Sequence, residues 1–108
     1  MSMVIKQDVL DRTVQMTHSL KLTVVQSFNY IASDMNGERV LLCVDSGKYY
    51  NLGAIGTVIW DHMEKPVTVG SIVQSLLDQY EVDRPSCEAE VFAFLARLSE
   101  ERLIRFGV

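Results

Sequence analysis

Two histidines, two cysteines and a pair of glycines three residues apart are the groups in this chain from which chemistry could be built. An imidazole works as base or ligand only with partners that orient it. His62 has Asp61 and Glu64 beside it in sequence, but neighbouring residues of a helix point in different directions, so no dyad follows. His62 and His18 therefore read as surface residues. Cys43 falls mid-strand with no candidate base near it in sequence, which argues against a nucleophile. Cys43 and Cys87 fit no metal spacing, and both are expected to be reduced and packed as small hydrophobes. Gly53 and Gly56 are spaced GxxG, a weak phosphate signal whose simpler reading is a strand-to-helix turn that needs small residues. The pairs Glu88/Glu90 and Glu100/Glu101 read as solvated helix faces. HExxH, GxSxG and GxxxxGK[ST] are absent. No catalytic constellation, metal site or cofactor is expected, and the chain does not read as an enzyme.

What remains is backbone chemistry. Residues 47–60, GKYYNLGAIGTVIW, hold a hairpin exit, a short aromatic strand and a helix start. Lys48, Tyr49, Tyr50, Asn51 and Leu52 read as the last strand of a small sheet, because the chain turns helical straight after them. A last strand can be an edge, and an edge presents unpaired N–H and C=O groups to another chain.

The elements that must position this strand follow from periodicity. Residues 1–22 show no clean period and read as an extended or mobile arm; the folded domain is expected over residues 23–108. From Val24, apolar Phe28, Tyr30 and Ala32 alternate with Ser27, Asn29 and Ser33, a half-buried strand. Asn36-Gly37 marks a tight turn. RVLLCV at residues 39–44 is apolar on both faces and reads as the central strand, and Asp45-Ser46-Gly47 as the second turn. The period then changes to 3.6. Ile55, Val58, Ile59 and Met63 form one stripe with Trp60 beside it, ending near Pro66. Thr68 is the expected N-cap of a helix carrying Val69, Ile72, Val73, Leu76, Leu77 and Tyr80. Ser86 is the expected cap of a third, with the stripe Cys87, Val91, Phe94, Leu95 and Leu98. The order β-β-β-α-α-α predicts an α+β domain, a three-stranded antiparallel meander followed by three helices that cover one of its faces.

At 108 residues, 48% apolar and 22% charged, this is one folded domain. The net charge of −4 falls wholly in the second half; residues 1–54 balance. That sign argues against nucleic acid on the helices. No apolar run approaches the roughly 18 residues of a membrane span, and the N-terminus lacks a signal-peptide core. A cytoplasmic location is expected.

The run GERVLLCVDSGKYYNLGAIGTVIW, then TVGSIVQSLLDQYEVD, then AEVFAFLARLSEERLI resembles the PqqD family. Its pattern is met by Gly47, Tyr49, Tyr50, Leu52, Gly56, Ile59, Trp60, Thr68, Val69, Ile72, Tyr80, Val82, Asp83, Phe94, Leu95, Leu98, Leu103 and Ile104, over about residues 24–105. Gly53 stands where the family usually has Asn, and Cys43 where it often has Asp. The resemblance implies a small winged-helix-like domain that recognises leader peptides of ribosomally made, post-translationally modified peptides. Stand-alone members act in pyrroloquinoline quinone and lasso-peptide synthesis. This chain is most similar in layout to the lasso type, the B1 protein, which delivers its precursor to a separate leader peptidase and a cyclase. By that resemblance the leader adds as a strand along residues 48–52 and rests against the third helix.

On the strand, Tyr50 and Leu52 are expected toward the helices, and Tyr49 on the surface flanking the added peptide. On the third helix Phe92, about 100° from Val91, is expected to wall the groove, with Leu95, Ser99 and Arg102 on nearby turns. Arg102 would pair with an acidic leader residue. Tyr50, Leu52 and Leu95 fit a pure core role equally well. Two other readings stay open: a winged-helix DNA-binding regulator, which the acidic third helix disfavours, and a homodimer paired through the same sheet edge.

Overall fold

The structure is a computed structural model that describes residues 19–107. His18 and most of the expected N-terminal arm lie outside the described residues. Among the described residues nine elements follow in order: β1 (Thr23–Gln26), β2 (Tyr30–Met35), β3 (Glu38–Cys43), β4 (Tyr49–Asn51), α1 (Gly53–His62), β5 (Val67–Thr68), α2 (Val69–Gln79), α3 (Arg84–Glu100) and β6 (Ile104–Phe106).

The expected meander is present as the antiparallel sheet β2-β3-β4, with β3 in the centre. Asn36 and Gly37 both take positive φ, 56° and 83°, which is the two-residue hairpin geometry their types favour. Gly47, at φ 72°, closes the second turn. Leu41 and Cys43 point inward and are fully covered.

The single strand expected from Val24 to Ser33 is instead two strands in two sheets. β1 is the middle strand of a second antiparallel sheet, β5-β1-β6. The chain crosses between sheets at residues 27–29. The Ser27 N–H donates to the Leu103 carbonyl, while the Asn29 carbonyl accepts from Val44. Phe28, at the crossing, is 86% exposed. The cause is non-local: the partners of β1 lie some forty and eighty residues further along (Val24 faces both Val67 and Phe106). The two-residue β5 and three-residue β6 have too little sequence for a period to declare itself.

The three helices form as expected. Their caps differ in one case. Thr68 Oγ1 accepts from the Ser71 N–H at 3.2 Å, the expected N-cap of α2. The next free donors of that turn, on Val69 and Gly70, go to the carbonyls of Leu22 and Leu20. Residues 20 and 22 thus pack on the core and finish the helix. The cap of α3 is Asp83, not Ser86: the Asp83 carboxylate accepts from the Ser86 N–H at 3.0 Å, and Pro85 sits in the first turn.

The core lies between the sheets and the helices around Trp60, Leu41, Met63, Ile72, Leu95 and Leu103. Tyr30 meets Trp60 edge to face at 5.0 Å. The Tyr30 hydroxyl donates to Gln26, whose amide donates in turn to the Trp60 carbonyl. This small network ties the crossing from β1 to β2 onto α1. His62 Nε2 lies 2.9 Å from the Ser75 hydroxyl and links α1 to α2. Both cysteines are free and buried. No helix among the described residues is long and apolar enough to cross a membrane.

Candidate functional site

β4 has β3 on one side only; among the described residues no strand pairs with the other. Its hydrogen bonding says which groups are open. The Lys48 carbonyl accepts from Cys43, and the Leu52 N–H donates to Arg39. Tyr50 stands opposite Leu41 midway between them. In an antiparallel ladder bonding alternates, so Lys48, Tyr50 and Leu52 bond inward and Tyr49 and Asn51 turn their N–H and C=O groups outward. The open edge is thus two residues long.

Across from this edge runs α3, and between them lies a cavity of about 370 Å³. Residues 49–52 form one wall. Phe94, Arg97, Leu98 and Glu101 form the other, and Leu103 closes an end. The floor is apolar. Tyr50, Leu52 and Phe94 are half-buried, while Leu98 and Leu103 are buried. The rim carries charge of both signs: Arg97, whose guanidinium sits 6.0 Å from the centre of the Phe94 ring, and Glu101 at the end of α3. Shielding of the Tyr50 hydroxyl, and then the neighbouring Glu101 carboxylate, push its pKa up to about 12. That hydroxyl oxygen is buried without a hydrogen-bond partner among the described residues.

Two glycines shape the wall. Gly53 has φ +73°, a left-handed position that glycine and asparagine tolerate. The Asn51 side chain accepts from its N–H. Gly56 has a different cause: a Cβ there would come within 3.0 Å of the Phe94 ring. Phe94 is seated on the bare backbone of α1. The GxxG spacing is therefore a turn followed by a close approach. Thr57 secures the same corner, donating to the Gly53 carbonyl and accepting from the Arg39 N–H.

Of the residues singled out from sequence, Tyr49, Tyr50, Asn51 and Leu52 line the cavity, with Tyr49 72% exposed on the outer face and Tyr50 and Leu52 toward the helices. Lys48 precedes β4 and is exposed. The α3 side is corrected. Phe92 is 5% exposed and belongs to the core, as does Leu95, fully covered; neither lines the cavity. Ser99 is half-buried away from it, its carbonyl accepting from Arg102. Arg102 follows α3 at φ +58° and does not line the cavity; it borders a neighbouring depression at the turn between β3 and β4 that shares Glu101 with it. Sequence reasoning placed Phe94 in the core stripe and missed Arg97 and Glu101. Phe92 and Phe94 lie on opposite sides of the line through Val91, Leu95 and Leu98, and helical phase alone does not say which side faces the strand. Gly56 was the available signal, since a glycine inside a helix marks a close approach.

A family model described as Coenzyme PQQ synthesis protein D (PqqD) matches residues 38–104. No curated protein matches the chain significantly. Solved structures similar to it include TbiB1 in complex with the TbiA(beta) leader peptide, at TM-score 0.69 and 31% identity over 75% of this chain and 94% of that one. Another is a lasso peptide synthetase B1 complexed with the leader peptide, at TM-score 0.68 and 22% identity over 76% and 96%, a likeness of fold alone. The family match runs from the start of β3 to the start of β6 and so takes in both walls of the cavity; this chain belongs to the PqqD family.

Proposed function

We propose that the protein is a non-catalytic adaptor that binds the leader region of a ribosomally made precursor peptide and presents it to the modifying enzymes, a lasso-type leader peptidase and cyclase. It works where the precursor is made, in the cytoplasm. The observation that carries this reading is the open edge of β4 facing α3 across an apolar cavity. An extended peptide fits both: its backbone pairs with Tyr49 and Asn51 while alternate side chains enter the cavity. The similar structure at 31% identity, a complex with a leader peptide, supports the same reading.

Magnitudes divide the work between edge and cavity. Two open residues offer four hydrogen bonds, together roughly 2–6 kcal/mol net. Micromolar binding needs about 8 kcal/mol after the cost of association is met. Backbone pairing alone falls short, so apolar side chains of the leader packed on Leu52, Phe94 and Leu98 supply the rest, about 1.5–3 kcal/mol for each large one. Arg97, on the rim of the cavity, takes the acid-pairing role; Arg102 does not line it.

A precursor gene is expected beside this one, and the test is fluorescence polarisation with its fluorescein-labelled leader. Saturable binding is expected; none at tens of micromolar overturns the proposal. The same edge could pair with a second copy. Sedimentation with and without leader separates the two, because an occupied edge cannot dimerise.

A further inference from the structure

The longer open edge of the meander is not β4 but β2, six residues against three; among the described residues no strand pairs with its outer side. The Val44 N–H donates to the Asn29 carbonyl, and Ile31, Ser33 and Met35 stand opposite Leu42, Val40 and Glu38. Bonding alternates in an antiparallel ladder, so those three bond inward while Tyr30, Ala32 and Asp34 turn their N–H and C=O groups outward. Folded proteins blunt such an edge with lysine, proline or a bulge. β2, YIASDM, has no lysine or proline, its residues pair one to one with β3, and its one charge is Asp34. Phe28, Ile31 and Met35, on or beside it, are 86%, 60% and 58% exposed. The two ends of the strand differ in charge. Arg105 lies 5.1 Å over the Phe28 ring at the start, and Asp34 and Glu38 adjoin Met35 at the hairpin end. Arg105, Asp34 and Glu38 take no part in the ion pairs of the described residues, Arg39–Asp61 and Arg84–Glu88.

We propose that β2 is a self-association edge that takes β2 of a second copy of this chain, antiparallel and centred on Ala32. A two-fold axis there sets Ala32 opposite the second copy's Ala32, and Tyr30 opposite the second copy's Asp34. The outward groups then meet one another, about six hydrogen bonds in three facing pairs. In the same register the second copy's Met35 falls opposite Asn29, beside Phe28, where sulfur and ring attract. The acidic hairpin end of each copy meets the basic end of the other. The strand thus matches itself in hydrogen bonding, apolar contact and charge, as an isologous interface requires. The sheet becomes six strands long with a β4 at each end. Both β4 edges stay open, about 24 Å apart at the usual strand spacing. The inference goes beyond leader binding and needs no leader, so either reading can fail alone.

Sedimentation velocity of the full chain should show a weak monomer–dimer equilibrium with a midpoint of about 100 μM, as for a small interface. Ala32→Pro removes an outward N–H, the placement an edge strand tolerates. It should weaken the dimer about tenfold or more, because both copies lose a central bond. Phe28→Ser, at an exposed site, should weaken it about threefold. Tyr49→Pro, which blocks the β4 edge instead, should dimerise as wild type does. Without any variant, the amides of Tyr30, Ala32 and Asp34 should exchange hydrogen more slowly in concentrated than in dilute protein. A chain that stays monomeric to about 500 μM, several times the expected midpoint, overturns the proposal. So does a dimer lost in Tyr49→Pro, or exchange at those three amides that is independent of concentration.

Discussion

At the scale of residues, the two phenylalanines of α3 differ in burial and, under the proposed function, in role. Phe92 is a core residue and Phe94 a partly open wall of the groove. Phe92→Ala should cost about 3–5 kcal/mol of stability, as for a buried aromatic, read by denaturant unfolding. Phe94→Ala should cost clearly less stability than Phe92→Ala, because its ring is only partly buried, and should weaken leader binding about tenfold or more, read by polarisation. The opposite pattern would return the groove to Phe92. Tyr50 carries a pH signature. Its pKa is raised to about 12 by shielding and by Glu101. The fold favours the neutral phenol, so that contribution is complete below the unfolded value of about 10 and is lost as pH rises from there through 12. Tyr50→Phe should therefore flatten the fall in melting temperature across that alkaline window. It should also remove an absorbance step near pH 12 at the tyrosinate band, and an unchanged titration would refute the assignment. At neutral pH the substitution should do little, because the hydroxyl it removes has no partner among the described residues.

Among the elements, helix starts and one tight seat hold the groove in shape. α2 and α3 each begin at a side-chain cap, Thr68 and Asp83. Thr68→Ala should destabilise the domain by about 1 kcal/mol without touching leader affinity, since α2 lies outside the β4 groove. Asp83 behaves differently with pH. The Ser86 N–H and hydroxyl hold its carboxyl below the usual value, so its contribution is present above about pH 4 and fades as acid protonates it through its lowered value. The gap in melting temperature between wild type and Asp83→Ala should be full at neutral pH and close in acid; a gap that persists at pH 2 would mean the cap acts other than through charge. The seat of Phe94 on Gly56 explains how closely α1 approaches α3. Much of the family motif belongs here too: Trp60, Leu103 and Ile104 are buried, and Thr68 and Asp83 are caps. Other residues of the motif, Tyr49, Tyr50, Leu52, Phe94 and Leu98, line the cavity together with Leu103.

For the whole molecule, a groove built from a short edge and apolar walls predicts how binding responds to solution conditions. Backbone pairing and apolar burial are weakly screened, and only rim charges such as Arg97 are exposed to salt. Leader affinity should change by less than about threefold between low and moderate salt, in contrast to the steep loss expected of phosphate contacts. A steep slope would point to a charge-driven partner and revive the nucleic-acid reading that the net charge of −4 disfavours.

The sequence by itself determined the α+β class, the meander with its Asn-Gly turn, the three helices and the edge position of β4. Each of these is written in local periodicity, turn chemistry or capping, where the residues that decide lie within a few positions of one another. It also carried the family through an ordered set of weak matches. Only the tertiary structure decided that β1 leaves the meander for a second sheet, because its partners are Val67 and Phe106. The choice between Phe92 and Phe94 was tertiary for the same reason. Both flank one helical stripe, and the side that meets β4 depends on how α3 is set against elements distant in the chain. Local pattern specifies which elements form and which of their faces are apolar; the direction from which each face is covered is a property of the assembled core.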